Sequence, residues 1–497
     1  EFMNKYILEI IVFICGASLM TLELVGSRVL APYVGTSIIV WTSLIGIILG
    51  FLSLGYWWGG RIADNKPSER TLSFIIFLSS FFVFFIIIAN SHILYFIRER
   101  IESVYVGAVL GTLTLFAIPS FLLGIVSPYA IRLKMKSLNS SGKTVGNLYA
   151  ISTIGSIVGT FSAGFFLIPF LGTIKILYLI TILLVLASLL VAVKHYFKIK
   201  AASILLFVIC FSMPLSFNAA AETDDLIDID TKYSRIWLYP SKAPDVPRPV
   251  LRLTTDPFSV QSAMFLDRDD DLVFKYTKYF RLADHFDPDI KKALMIGGAA
   301  YSYPKDFLKK HPESELTVVE IDPGMTKIAR EYFNLSDDHR LRIVHQDGRA
   351  FLNKNKEKFD VIYMDAFTSK LSVPYQLTTR EAMQRIYNSL QDDGVFIFNI
   401  ASALEGKKSK FLQAEFKTCR SVFKQAYVLP VDTFKAEKVQ NLILIAFKHD
   451  HEVDFSSDNS EYNGFLSRLW QKDIDTDLPI LTDDYAPVDH YIKNLIN

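Results

Sequence analysis

Apolar residues crowd into the first part of the chain, and the rest alternates short apolar runs with amphipathic ones. Seven apolar stretches, about 6–25, 38–58, 72–94, 104–126, 145–170, 173–193 and 202–220, approach or exceed the roughly 20 residues needed to cross a bilayer. Phe74–Ala89 contains neither a charged residue nor a glycine. The pattern predicts a multi-span α-helical membrane domain over 4–220. Gly46, Gly50 and Gly55, and again Gly155, Gly159 and Gly164, recur at four- or five-residue spacing, which lets helices approach closely. Glu9 and Glu23 fall within spans, where carboxylates are expensive and often functional. The last stretch is the weakest, because Pro214 interrupts it.

Beyond residue 220 the pattern shortens. Ser234–Tyr239, Val250–Leu253 and Ser259–Phe265 read as strands of a small β-unit over 221–266. From 267 to 497 strands and helices alternate. Strands are expected at Ala293–Gly298, Leu316–Asp322, Leu341–Asp347, Phe359–Asp365, Gly394–Ile400, Ala426–Val431 and Asn441–Phe447. Helical segments at Tyr276–Phe286, Pro304–Lys310, Gly324–Phe333, Thr379–Leu390 and Phe411–Phe423 accompany them. Such alternation implies a mostly parallel sheet with helices on both faces. The fold class is therefore a membrane helix domain, a small β-unit and an α/β Rossmann-like domain of the methyltransferase type. Its sheet has seven strands and ends in an antiparallel hairpin.

Composition narrows the functions. The 497 residues are 51% hydrophobic, with mean hydropathy +0.28. Charge is balanced at +1 net, which gives no footprint for nucleic acid. Three cysteines, Cys15, Cys210 and Cys419, match no metal-ligand spacing, and no metal is expected. With seven alternating spans, most basic residues flanking them fall on the side of the N-terminus, which places that side in the cytoplasm. Localisation is a multi-pass cell membrane protein. The side of the soluble domain is open, because the last stretch reads equally as a crossing or as an interfacial segment.

In a sheet of this kind ligands bind at the carboxyl ends of the strands. Four strands end in useful chemistry: Gly297-Gly298, Glu320 with Asp322, Asp347-Gly348, and Asp365. Glycines let backbone approach a ligand. An acid after the second strand can accept both ribose hydroxyls, and an Asp after the third can accept from an adenine amino group. Together they point to a nucleoside-type ligand. A dinucleotide is disfavoured, because Gly297-Gly298-Ala299-Ala300-Tyr301 lacks the G-x-G-x-x-G spacing.

Over nearly its whole length the sequence resembles the membrane-fused spermidine synthase-like proteins. The motifs are Leu294–Pro304, Val318-Val-Glu320-Ile-Asp322-Pro, Gln346-Asp347-Gly348-Arg349 and Asp360–Phe367. The membrane half adds Glu23–Tyr33, Val40-Trp41-Thr42 and Gly55–Asp64, and the chain ends in Leu481-Thr-Asp483-Asp484-Tyr-Ala-Pro487. The resemblance implies an aminopropyltransferase of polyamine biosynthesis. Its substrate would be S-adenosylmethionine or the decarboxylated form, and it would release methylthioadenosine. It implies Glu320 at the ribose and Asp347 with Gly348 at the adenine. Gln261 would contact the sulfonium ligand, with Tyr276, Gly297, Gly298, Tyr301 and Asp322 lining the site. Asp365 would be the general base for the attacking amine.

The sequence also departs from that family. Its first loop usually reads Gly-Gly-Gly-Asp-Gly, whereas here it is Gly297-Gly298-Ala299-Ala300-Tyr301. A second catalytic-loop Asp is Thr368, and the usual His-Glu after Tyr276 is Thr277-Lys278. Losing an acid near the ligand tail would suit intact S-adenosylmethionine, whose tail carries a carboxylate. Alternatives are an intramolecular S-adenosylmethionine lyase, a methyltransferase, and a transporter or sensor of polyamines or nucleosides. The expected partners are a small nucleoside and a polyamine, and a homodimer is left open.

Overall fold

The computed structural model describes residues 2–35, 38–65, 67–101, 103–135, 141–191, 226–242, 248–257, 259–267, 271–367 and 373–492. The seventh apolar stretch, 202–220, and Thr368 lie outside the described residues. The chain divides into two compact units, Glu1–Asp224 and Asp225–Asn497.

The described part of the first unit holds six helices long and apolar enough to cross a membrane: Tyr6–Val34, Ile38–Asn65, Glu69–Arg100, Val104–Lys134, Ser141–Leu171 and Thr173–Val191. They coincide with the first six apolar stretches. The fifth passes through a π-helical turn at Ala163–Leu167. Pro169 follows and has no N–H for the carbonyl of Phe165, so the ladder shifts register there. The glycine pattern is only partly a packing code. A Cβ on Gly155 would lie 2.2 Å from the Phe13 carbonyl oxygen, and one on Gly55 would lie 2.3 Å from that of Phe121, whereas one on Gly46, Gly50 or Gly164 would meet nothing within 4 Å among the described residues. Backbone thus touches backbone between the first and fifth helices and between the second and fourth. Glu9 pairs with Lys134 of the fourth helix, and Glu23 is buried.

The described part of the second unit contains two sheets. Strands β1 (Ile227–Asp230), β2 (Arg235–Ser241), β3 (Val250–Thr254) and β4 (Ser262–Phe265) form an antiparallel meander. The sequence reading left β1 out. Its alternation Ile-Asp-Ile-Asp is a strand signal, and Arg235 of β2 holds Asp228 through two guanidinium nitrogens.

The larger sheet comprises β5 (Lys292–Ile296), β6 (Glu315–Val319), β7 (Leu341–Val344), β8 (Phe359–Met364), β9 (Leu390–Ser402), β10 (Gln425–Pro430) and β11 (Gln440–Phe447). Its order is β10-β11-β9-β8-β5-β6-β7. β5 through β9 pair in parallel, and β11 inserts antiparallel between β9 and β10. Successive residues of the central strands are buried on opposite faces. Leu294, Ile296, Ile362 and Met364 join one apolar cluster, while Ala293, Met295, Val361 and Tyr363 join the other. That two-sided burial is why these strands read as continuous apolar runs.

Register then places the strand ends. Ile296 pairs with both Val319 and Met364, and Met364 with Phe398. Gly297, Glu320, Asp365 and Asn399 therefore each stand one residue beyond the same row. Chain order reverses between β5 and β8, which makes this the topological switch point where open α/β sheets bind ligands.

Candidate active site

Gly297 sits at the switch point with φ +94°, and a Cβ there would lie 2.3 Å from the Asp365 carbonyl oxygen. Only glycine fits both the conformation and the approach. The loop continues through two further left-handed residues, Ala299 (φ 44°) and Tyr301 (φ 57°). Each costs about 1–2 kcal/mol in a residue with a Cβ. Tyr301 is fully buried, and its hydroxyl meets Thr326 Oγ1 at 2.7 Å; that packing holds the strained loop.

Glu320 anchors the same loop from below. Its Oε2 accepts from the N–H groups of Gly298 (2.9 Å) and Ala299 (3.1 Å), and its Oε1 accepts from Asp322 N–H at 2.9 Å. Burial raises its pKa above the ordinary value, and the three N–H donors oppose that rise.

Asp365 is the chemical centre. Its Oδ2 accepts from the Tyr276 hydroxyl at 3.0 Å, and its Oδ1 from Asn399 Nδ2 at 2.9 Å. Burial pushes its carboxyl up to about 6, although both hydrogen bonds pull the other way. The Tyr276 phenol is pushed well above its ordinary value by burial and then by the Asp365 charge, so it donates and stays neutral. Phe274 stacks on Tyr276 at 5.9 Å.

These groups border an open cleft lined by Gln261, Ser262, Thr277, Ser302, Tyr303 and Asp365 among others. Gln261 reaches it from the meander, where its Nε2 donates to Thr255 Oγ1 at 2.7 Å. Gln261, Tyr276, Gly297, Gly298 and Asp365 thus come together around one cavity, with Glu320 behind the loop. Tyr301 does not line it. Asp322 Oδ1 accepts from Gly324 N–H and caps the Pro323–Tyr332 helix, and its Oδ2 meets Thr231. Asp347 caps the Gly348–Lys354 helix by accepting from Ala350 N–H at 2.9 Å. The sequence reading missed that helix, and it missed Asn399. The signal for Asn399 was a lone amide in the buried run Phe396-Ile-Phe-Asn-Ile, since buried polar groups find partners.

The second unit is a Rossmann-like domain of the methyltransferase type, with its cleft at the switch point. No group of metal-ligating side chains occurs among the described residues. Residues 276–457 match the spermine/spermidine synthase domain family. A polyamine aminopropyltransferase of Vibrio vulnificus is 26% identical over 244 residues, covering 46% of this chain and 79% of that protein. One from Streptococcus pneumoniae is 30% identical over 167 residues, covering 33% of this chain and 54% of the other. This chain thus spans little more than half of that relative. A probable spermidine synthase structure from Corynebacterium glutamicum aligns at 21% identity with TM-score 0.42, covering 49% of this chain and 86% of its own.

Proposed function

We propose that the chain is an integral-membrane enzyme of the aminopropyltransferase type. It binds a sulfonium adenosine, S-adenosylmethionine or its decarboxylated form, and transfers or eliminates the alkyl chain with release of methylthioadenosine. The membrane unit (4–220) anchors a β-unit (221–266) and the catalytic domain (267–497). One observation carries the reading: Asp365 opens on the cleft beside Gly297, with both oxygens held by neutral donors and its carboxyl near 6.

That carboxylate suits a base. An ammonium is no nucleophile, so the acceptor must lose a proton as it attacks the carbon next to sulfur. The C–N bond forms, the C–S bond breaks, the sulfonium leaves as a neutral thioether, and the amine's proton goes to Asp365. Gln261 and Tyr276 contact the ligand from the cleft wall, while Gly297 and Gly298 admit it to the backbone. Glu320 takes the ribose with the acceptor capacity left on its oxygens. Asp347 and Gly348 take the adenine. Tyr301 and Asp322 serve the ligand through the loop and helix they fix.

A second reading concerns the tail. Among the described residues Asp365 is the one carboxylate lining the cleft, and the usual tail-binding acid is replaced by Ala299-Ala300. A zwitterionic tail avoids the repulsion a second acid would impose. Intact S-adenosylmethionine is then bound at least as tightly as the decarboxylated form. With no amine partner, its own carboxylate or amine can attack instead. Side-by-side titration of the full chain with the two sulfonium compounds tests this; a strong preference for the decarboxylated one refutes it.

A further inference from the structure

The terminal motif Leu481-Thr-Asp483-Asp484-Tyr-Ala-Pro487 has no part in the chemistry above, yet it is tied to the nucleobase end of the site by a chain of hydrogen bonds. Arg349 follows Asp347-Gly348 directly. Its Nη2 donates to Asp483 Oδ2 at 2.7 Å. Its Nη1 donates to the carbonyl of Gln376 at 3.1 Å and to Thr379 Oγ1 at 3.0 Å. The Thr379 hydroxyl donates in turn to Asp483 Oδ1 at 2.7 Å. Backbone bonds complete the strap: Arg380 N–H donates to the Leu481 carbonyl at 2.8 Å, and Leu481 N–H donates to Thr418 Oγ1 at 2.9 Å.

The turn so held faces Asp347. Gln376 Nε2 approaches Asp347 Oδ2 at 3.4 Å, and the two Leu377 methyls stand 3.4 Å from where a Cβ on Gly348 would be. Asp347 Oδ1 is occupied by the helix cap. Oδ2 is therefore the oxygen with capacity to read a base edge, and the position of Gln376 sets its surroundings. Arg349 is largely buried, with its side chain 13% exposed, whereas Asp483 is half exposed at 50%. The bridge thus joins the protein's surface to the base site through one guanidinium. A planar fork suits this, since it binds several acceptors in fixed directions where an ammonium does not.

We propose that Arg349 and Asp483 are positioning residues that set the selectivity of the site for a 6-amino purine. The terminal strap, through Arg349, fixes the Tyr375–Thr379 turn and hence the Asp347 carboxylate. This rests on the reading of Asp347 as the adenine acceptor.

The test is equilibrium titration of the full chain in detergent with methylthioadenosine and with methylthioinosine, whose 6-oxo group accepts where the amino group donates. Wild type should prefer the amino form by roughly tenfold or more. Asp347→Ala should bring the two affinities together; if it leaves the ratio intact, the adenine reading falls and the strap proposal with it. Given a response at Asp347, Asp483→Ala and Arg349→Lys should each shrink the ratio several-fold, and the double variant should do no more than the worse single one. Asp483→Asn, which keeps an acceptor for Arg349, should restore part of it. If the Asp483 and Arg349 variants lower the melting temperature, or weaken both ligands equally, with the ratio unchanged, the strap is structural only and the proposal is overturned while the adenine reading stands.

Discussion

Replacing Asp365 by Asn should trade turnover for stability, and both sides can be worked from the geometry. The carboxyl stands at about 6 against an ordinary 3.8, a rise of about two pKa units. At ~1.36 kcal/mol per unit the ionised form costs the fold at most about 3 kcal/mol; the open cleft screens this to ~1–2 kcal/mol. Because the folded value lies above the unfolded one, the cost is absent below pH 3.8. It builds between 3.8 and about 6 and is complete above that. Asn fits the same space: the Tyr276 hydroxyl can donate to it, and Asn399 Oδ1, which has no partner among the described residues, can turn to accept its amide. The variant should therefore melt higher than wild type at pH 7.5, with the gain fading as pH falls toward 4. Ligand affinity should be retained, and turnover should drop by ~10²–10⁴-fold, the usual worth of general-base catalysis. Wild-type kcat/KM should rise with pH through about 6. A bound sulfonium favours the ionised carboxyl, so kcat should rise at lower pH. The assay is methylthioadenosine released per minute across pH 4.5–8.5 beside a thermal melt of both proteins. Full turnover in the Asn variant, or a wild-type profile flat through pH 6, refutes the base.

Other outcomes follow from particular contacts. Glu320→Gln keeps one acceptor oxygen where two now serve three N–H groups, so methylthioadenosine affinity should fall by roughly tenfold or more; unchanged affinity in calorimetry removes Glu320 from the site. Glu415 is fully buried with neither oxygen partnered among the described residues, and burial pushes its carboxyl well up. Glu415→Met should therefore stabilise the protein by ~1–3 kcal/mol, more at pH 8 than at pH 5 because ionisation opposes folding; a melt lowered at both pH values contradicts this. The full chain should stay with the membrane fraction after alkaline or high-salt washing, since screening charge does not reverse burial of apolar spans; release into the supernatant refutes membrane insertion.

How much was legible beforehand depended on whether the cause was local. The six long helices and the seven-strand sheet follow from hydrophobic period and length, so their existence was plain and only their ends moved. β9, for instance, begins at Leu390 rather than Gly394. The strand-end acids were visible because each follows an apolar run. Their division of labour was not, since that depends on contacts distant in sequence. Glu320 is spent largely on the loop of Gly298 and Ala299, 22 and 21 residues away, and Asp322 and Asp347 cap helices. Asn399, 34 residues from Asp365, entered the site only when β8 and β9 paired. The left-handed Ala299 and Tyr301 stand where glycine is expected, and no local rule predicts them. The closing motif was readable as a motif, but its link to Arg349 spans 134 residues.

The central claim is that the cleft beside Gly297 carries out alkyl transfer or elimination from a sulfonium adenosine. Mass-spectrometric quantitation of methylthioadenosine formed by the purified full chain tests it most directly. The protein is given S-adenosylmethionine or its decarboxylated form, each with and without putrescine. The account predicts methylthioadenosine well above the no-enzyme rate with at least one sulfonium substrate, abolished in Asp365→Asn. Tight binding of both compounds with no methylthioadenosine under any of the four conditions would contradict it and leave a domain that binds without catalysing.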